Sequence, residues 1–292
     1  MSAFKHSLQL LRQNVFWEVL RHNRRAALGL FLLLGFACMA TVGPLLFQLE
    51  TRSDYLLRFQ APSWAHWLGT DYAGRDTLAQ LVHGSRDIIT IAFSSALITL
   101  LLALLVGTLA GLLGGRLDQW LMRIIDIFLT LPRFPIMAIM AGLFSIQDPF
   151  SFGFVLALFY WPGLARGIRS QILTLRSKDF IEICQLMALP LRHVIFAELM
   201  PNIVPYLAIN FINVARDAIV ASVGIMLLGI VPLSASNWGM MLNLAATQTG
   251  AIYVPEAYPY LLAPIACIVL FQFALMAFAG GLEEFFDPRL RG

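Results

Sequence analysis

Long apolar stretches alternate with short polar segments along this chain of 292 residues. A membrane-spanning helix needs about 20 apolar residues, so the pattern predicts six transmembrane helices. In chain order the predicted spans cover residues 26–47, 88–113, 124–146, 150–164 continuing toward 168, 203–231 and 259–282. The fourth stretch is the shortest, which leaves five spans as the alternative count. Either count predicts an all-α integral membrane protein.

The first apolar stretch follows basic residues, as the core of a secretory signal also does. However, residues 26–47 are longer than the core of a signal, and no small-x-small cleavage pattern follows them. We therefore predict that this stretch is a retained first span.

The basic residues predict the orientation of the spans, because cytoplasmic loops are enriched in Lys and Arg. With six spans, residues 1–25, the turn near 116–123, the loop at 166–192 and the tail after 282 hold 14 of the 20 Lys and Arg residues. The loop at 48–87 holds four, and the last outer loop holds none. Both chain ends are therefore predicted to be cytoplasmic.

The composition agrees with a membrane protein and excludes several other functions. Hydrophobic residues make up 59% of the chain and charged residues only 13%. The few, dispersed lysines and arginines give no basic patch for nucleic acid. Three isolated cysteines and five scattered histidines show neither a disulfide framework nor a metal site. No phosphate-binding G-x-x-x-x-G-K-[ST] loop occurs, so ATP, if it drives this protein, must bind to another chain.

A charged segment, "SKDFIEICQLMALPLRHVIFAELMPN" (177–202), interrupts the apolar pattern. We predict that Ser177 caps a helix whose apolar stripe consists of Phe180, Ile183, Cys184 and Met187. A turn at 188–190 would lead to a second short helix, which Pro201 would stop. The prediction is a helical hairpin that lies across the cytoplasmic face of the membrane; one interpretation is a cover for the span ends.

Two charges fall inside the fifth predicted span. Arg216 and Asp217 lie near its middle, where a charge costs at least about 2.5 kcal/mol. Neighbouring residues on a helix do not face each other, so both need partners elsewhere. We expect them to border a translocation pathway, with a salt bridge between spans as the alternative. Arg133, between Pro132 and Pro135, is interpreted as a snorkelling residue near the cytoplasmic boundary.

The loop before the second span combines aromatic and charged residues. Asp71 and Arg75 are spaced i, i+4, which favours a local helix. Trp64 and Trp67 suit the aromatic belt of a membrane interface. The loop is therefore interpreted either as an interfacial helix that leads into the second span or as a docking or gating surface.

Several stretches of the chain resemble one family of transporter subunits. The segment "EICQLMALPLRHVIFAELMPN" is similar to the EAA loop of ABC importer permeases, with Glu182 at the Glu position, Ala188 in place of the Gly, and Pro201-Asn202 at the end. Other matching stretches, in chain order, are "HWLGTDYAGRD" (66–76), "GGRLDQWLMRIIDIFLTLP" (114–132), "WPGLARGIRSQIL" (161–173), "NWGMML" (237–242) and "DPRLR" (287–291). From these the chain is identified as similar to the C-type permeases of the dipeptide, oligopeptide and nickel importer family.

The resemblance implies a type I ABC importer permease fold with a cytoplasmic coupling helix. The charged face of the hairpin would meet an ATPase subunit, and its apolar stripe would anchor the hairpin to the spans of this chain. It implies a second homologous permease, two ABC ATPase subunits that bind ATP and Mg, and an extracytoplasmic solute-binding protein. This chain would bind no cofactor of its own, and it would lie in a bacterial or archaeal plasma membrane. Its segments would be 1–25 (cytoplasmic), 26–47 (first span), 48–87 (outer loop with the G-T-D-x-x-G-R-D box), 88–282 (permease core, including the coupling hairpin at 177–202) and 283–292 (tail).

The resemblance also assigns candidate roles to residues. The candidates for ATPase coupling are Asp179, Glu182, Gln185, Ala188, Leu189 and Pro190. The pathway candidates are Arg216, Asp217 and Ser222, and the outer-face candidates are Asp71, Arg75, Asp76 and Trp238.

The sequence leaves the substrate class open. Peptides are the first expectation, and nickel complexes are carried by other members of the family. Oligosaccharides are an alternative because Ser222 stands where peptide permeases usually carry a glutamate. Trp238, Tyr253, Tyr258 and Tyr260 could stack on sugar rings, although an aromatic belt at the membrane interface explains these four residues as well. A stand-alone secondary transporter is disfavoured, because the sequence shows no internal repeat.

Overall fold

The computed structural model describes residues 21–50, 52–144, 146–187, 189–231, 233–248, 251 and 253–286. Within these ranges the regular structure is helical, and the one β-type pairing is an isolated bridge between Thr70 and Asp76. The prediction of an all-α fold is therefore confirmed.

Helices of very different lengths make up the described chain. In chain order they are α1 (Arg24–Thr41), α2 (Gly43–Leu46), α3 (Thr77–Leu113), α4 (Gly115–Thr130), α5 (Arg133–Leu143), α6 (Pro149–Arg176), α7 (Asp179–Leu186), α8 (Leu191–His193), α9 (Met200–Leu227), α10 (Trp238–Thr247) and α11 (Tyr258–Phe286). A π-helical segment, Val194–Leu199, joins α8 to α9.

Five helical segments in the described chain are long and apolar enough to cross a membrane: α1, α3, α6, α9 with the π-helical segment, and α11 with the turn before it. The third predicted span, 124–146, is not one helix, because α4 and α5 meet at an angle of 90°. Leu131 and Pro132 are extended at this break, as expected where proline disfavours helical backbone at the residue before it. The count is five spans, or six if the bent pair forms one.

Helices α3 and α6 are longer than their apolar stretches predict. Helix α3 starts at Thr77 and not near residue 88, so it carries polar residues into its first turns. The weak fourth stretch is the beginning of α6, a helix of 28 residues. The Asp148 side chain accepts hydrogen bonds from the Ser151 amide and hydroxyl at the start of α6, and these bonds lower the pKa of Asp148.

The described chain divides into two compact units. The first unit contains the described residues up to Asp87 and those from Ser234 onward. In this unit α1 packs along α11, and α10 also packs on α11. The close packing of α1 depends on Gly29, where an added Cβ would lie 2.7 Å from the Phe278 amide nitrogen. The Phe36 ring contacts the rings of Phe271 and Trp238.

The second unit, Ile88–Leu233, is organised around α6. Helices α4, α5 and α9 each pack on α6. Glycines of α3 allow close approach as well: an added Cβ at Gly107 would lie 2.6 Å from the Ala165 carbonyl oxygen. Ile168 and Ile172 of α6 are fully buried in the core of this unit, so α6 is the scaffold that positions the segments on either side of it.

Candidate functional site

The hairpin predicted at 177–202 begins differently from the expectation. The Ser177 hydroxyl donates to the Thr174 carbonyl at 2.9 Å, so Ser177 ends α6 and does not cap the next helix. Helix α7 then begins at Asp179. The prediction of Ser177 as an N-cap is wrong, because its side chain bonds backwards to the helix that it follows.

The turn of the hairpin is closed by backbone hydrogen bonds. The Leu189 amide donates to the Cys184 carbonyl at 3.1 Å, and the His193 amide donates to the Pro190 carbonyl at 2.8 Å. Glu182 and Gln185 lie in α7, while Ala188 lies outside the described residues. Pro190 therefore stands at the start of the returning half of the hairpin, where its fixed φ limits the conformations of the turn.

The second half of the hairpin does not stop at Pro201. The π-helical segment continues directly into α9, and Pro201 lies in the first turn of that helix. The predicted stop at Pro201 is therefore wrong, and the hairpin is continuous with the span that follows it.

The buried face of the hairpin differs in part from the predicted stripe. Ile181, Cys184, Val194 and Leu199 form a buried cluster, against which Phe180 is partly buried. The prediction is right for Phe180 and Cys184. It is wrong for the other two members of the stripe, Ile183 and Met187, which are exposed.

The exposed side of the hairpin carries large apolar side chains as well as charged ones such as Asp179 and Arg192. Ile183, Leu186, Met187 and Phe196 are all exposed, and Leu186 has an exposed fraction of 81%. We call these four residues the hairpin surface. Ile183 and Leu186 lie on α7, Met187 follows its last residue, and Phe196 lies in the π-helical segment. Large exposed apolar side chains of this kind suit burial against the membrane surface or against a protein partner.

The pathway candidates on α9 are placed on different sides of that helix. Asp217 is exposed and Arg216 is partly buried. Ser222 is fully buried, and its hydroxyl donates to the Ile219 carbonyl at 2.9 Å. Ser222 therefore does not lie on the exposed face that carries Asp217.

A side chain from α6 approaches Asp217. The Tyr160 hydroxyl donates to the Asp217 backbone carbonyl at 3.0 Å. The Asp217 carboxylate interacts electrostatically with the guanidinium groups of Arg216 and Arg133. Arg133 is the first residue of α5 and lies at the 90° break, a position that the interpretation as a snorkelling residue did not anticipate. The proline on each side of it was the available signal.

On the outer loop, Asp71 is the centre of a buried hydrogen-bond network. Its carboxylate is fully buried and accepts from the Ala73 amide, the Arg75 amide, Arg75 Nε and Gln80 Nε2, at 2.8–3.0 Å. Burial disfavours the charge of Arg75, but its hydrogen bond and ion pair with Asp71 outweigh this effect and raise the pKa of Arg75. This network holds the loop in one conformation.

The local helix predicted around Asp71 and Arg75 is wrong. Residues 69–76 form turns closed by the bridge between Thr70 and Asp76, and Gly69 and Gly74 have positive φ angles of 70° and 79°. Asp76 accepts a hydrogen bond from the Ala79 amide at 2.7 Å as α3 begins, and it also pairs with His66. The i, i+4 ion pair therefore forms in a turn and not on a helix.

The outer-face candidate Trp238 is not exposed. Its ring is fully buried, and its indole nitrogen donates to the Leu81 carbonyl at 2.9 Å. Tyr260 is buried as well. By contrast, Tyr253 and Tyr258 are exposed. The structure thus withdraws two of the four aromatic side chains that were considered for stacking on sugars.

Comparison with known families identifies the type of protein. The family described as "binding-protein-dependent transport system inner membrane component" matches residues 84–292. The chain belongs to this family. A second family, the N-terminal TM domain of oligopeptide transport permease C, matches residues 13–62 of the permease.

Relatives of the permease match it over most of its length. A protein of Brucella suis named as a peptide permease is 33% identical over 270 residues, which are 91% of this chain and 88% of the relative. The oligopeptide transport system permease protein OppC of Salmonella typhimurium is 30% identical over 301 residues, 100% of this chain and 97% of the relative. The dipeptide transport system permease protein DppC of Bacillus subtilis is 29% identical over 280 residues, 94% and 85% respectively. The predicted resemblance to this permease family is confirmed.

Proposed function

We propose that this permease forms half of the membrane pathway of an ATP-driven importer of peptides. The family match establishes the membrane component of a binding-protein-dependent system, and the names of the relatives favour peptides as the solute. The observation that supports the coupling role is the hairpin surface, which is exposed on the hairpin between two long apolar helices.

The proposed assembly contains a second homologous permease, two ABC ATPase subunits and an extracytoplasmic solute-binding protein. ATP and Mg would bind to the ATPases, and this chain would carry no ATPase site. The distribution of Lys and Arg supports cytoplasmic chain ends, in the plasma membrane of a bacterium or archaeon. This orientation places the hairpin at 177–202 on the side where the ATPases would bind.

In this mechanism the hairpin transmits the motion of an ATPase to the spans. Leu186 and its exposed neighbours would be buried in a groove of the ATPase, while Ile181 and Cys184 hold α7 against its own chain. Asp179 lies at the start of α7, where a negative charge is favourable. Because the hairpin continues without a stop into α9, a push on α7 would be carried along a span that bears Asp217.

The assembly and the peptide substrate are tested together by coexpression of the permease with its neighbouring ATPase, permease and binding-protein genes. We expect the complete complex to copurify in detergent and, in proteoliposomes, to take up a radiolabelled tripeptide only with ATP and the binding protein. Purification of the chain without any ATPase would contradict the proposal. If the solute-binding protein binds oligosaccharides or nickel complexes but not peptides, the proposed substrate is wrong, and the proposed subunit composition is unaffected.

A further inference from the structure

A polar cluster inside the membrane-spanning part of the second unit is formed by three separate segments. They are the break before α5 with Arg133, α6 with Tyr160, and α9 with Asp217. The Tyr160 hydroxyl bonds the Asp217 backbone at 3.0 Å. One turn further along α6, a Cβ added at Gly163 would lie 3.5 Å from Arg133 Nη2, so the arginine passes over the same face of α6.

The exposure of this cluster differs from that of an ordinary lipid-facing surface. From residue 93 onward the exposed stripe of α3 is apolar and consists of Phe93, Leu97, Leu101, Leu105, Leu109 and Leu113. On α9 the exposed positions include Asn213 and Asp217, and Arg133 is exposed on α5. Hydrocarbon solvates the α3 stripe well, but it does not solvate a carboxylate, an amide and a guanidinium. The face with Asp217 must therefore meet water, a solute or another protein.

Arg133 and Asp217 are not joined to each other by a salt bridge in the described part of the chain. The Asp217 carboxylate is also under the electrostatic influence of the neighbouring Arg216. Nearby arginines do form such pairs: Arg166 bonds Asp126, and Arg169 bonds Asp118 through two nitrogens. Two opposite charges that are not bonded to each other, next to the break between α4 and α5, can bind a solute that carries both a positive and a negative charge.

From this geometry we propose that Arg133, Tyr160 and Asp217 line the solute pathway and form a transient site for zwitterionic peptides. Asp217 would bind the ammonium end of the peptide and Arg133 its carboxylate end. Tyr160 would hold the backbone of Asp217 in position against α6 through its hydrogen bond. This inference rests on the proposed import function, and it adds Arg133 and Tyr160 to the pathway candidate Asp217. The 90° break is then the device that brings an arginine from the end of a helix into the pathway.

The first test measures access of water to the cluster, independently of transport. Arg133→Cys, Asp217→Cys and the control Leu101→Cys are made in a chain whose three native cysteines are replaced by alanine, and the complete complex is labelled with the membrane-impermeant thiol reagent MTSES. We expect both cluster positions to react at least tenfold faster than Leu101→Cys in some nucleotide state. Reaction of both at the rate of the control in every state would overturn the proposal.

The second test measures uptake of radiolabelled trialanine by the complex in proteoliposomes. We expect Asp217→Asn and Arg133→Gln each to lower uptake at least tenfold, while Asp126→Asn, which removes an exposed paired carboxylate, changes it less than twofold. Size-exclusion chromatography checks that each variant still assembles. Normal uptake by both cluster variants would overturn the role of the charges. If the wild-type complex takes up no trialanine, the peptide function fails, and the labelling still decides whether the cluster lines a pathway.

Discussion

The hairpin surface gives a quantitative prediction for the affinity of an ATPase subunit. Leu186 has an exposed fraction of 81% in this chain, and complete burial of a leucine side chain contributes about 1.5–3 kcal/mol. If the ATPase buries the exposed part of the Leu186 side chain, this burial contributes about 1.2–2.4 kcal/mol to the free energy of binding. Leu186→Ala is therefore expected to weaken the binding of the ATPase by about 7- to 50-fold, because each 1.4 kcal/mol is about tenfold in Kd.

The measurement is a titration of purified ATPase onto the permease in nanodiscs, followed by biolayer interferometry. A matched control is Leu45→Ala, since Leu45 in α2 has the same exposed fraction of 81% but follows the first span, at its predicted outer end. We expect the control to keep the wild-type Kd. Equal affinities for Leu186→Ala and Leu45→Ala would show that the hairpin surface is not buried by the ATPase, and the coupling role would then have to be given up.

Three further predictions concern coupling and stability. Glu182→Lys or deletion of Pro190 should uncouple ATP hydrolysis from uptake while the chain still inserts; unchanged substrate-stimulated ATPase activity and uptake in both variants would refute this. Asp71→Ala should lower the free energy of unfolding by about 3–5 kcal/mol, because it leaves a buried arginine without its partner, and a thermal melt in detergent that matches wild type would contradict it. Gly29→Ala should destabilise the packing of α1 by about 1–3 kcal/mol, whereas Gly35→Ala, whose added Cβ meets nothing within 4 Å, should be neutral in the same melt.

Hydropathy predicted the existence of the spans better than their shape. Apolar runs located α1, α3, α9 and α11, because a run of this kind is required to cross hydrocarbon whatever its neighbours are. The break between α4 and α5 was missed because both sides of it are apolar, so the average hydropathy does not change where the backbone turns. The P-R-F-P sequence around Arg133 is the local signal of this break.

Spacing rules failed where one pattern fits two backbones. Asp71 and Arg75 are four residues apart both on a helix and in the observed turn, and only Gly69 and Gly74, with their positive φ angles, favour the turn. Ser177 has the side chain of an N-cap, but it bonds the carbonyl of Thr174 behind it. In the hairpin, the sequence does not distinguish the apolar residues that are buried against the same chain from those that are exposed, because both sets have helical spacing.

The packing of α1 on α11 has a consequence for biogenesis. The Asn23 side chain donates to Glu284 at 2.6 Å, so residues from opposite ends of the described chain meet in one unit, while Ile88–Leu233 forms a unit that is continuous in sequence. Of the described helices, a ribosome synthesises α1 first and α11 last. Helix α1 must therefore remain in the bilayer without its partner helix, with Gly29 against lipid, until α11 has been synthesised. Truncation before α11 should leave the nascent α1 open to membrane proteases and insertion chaperones.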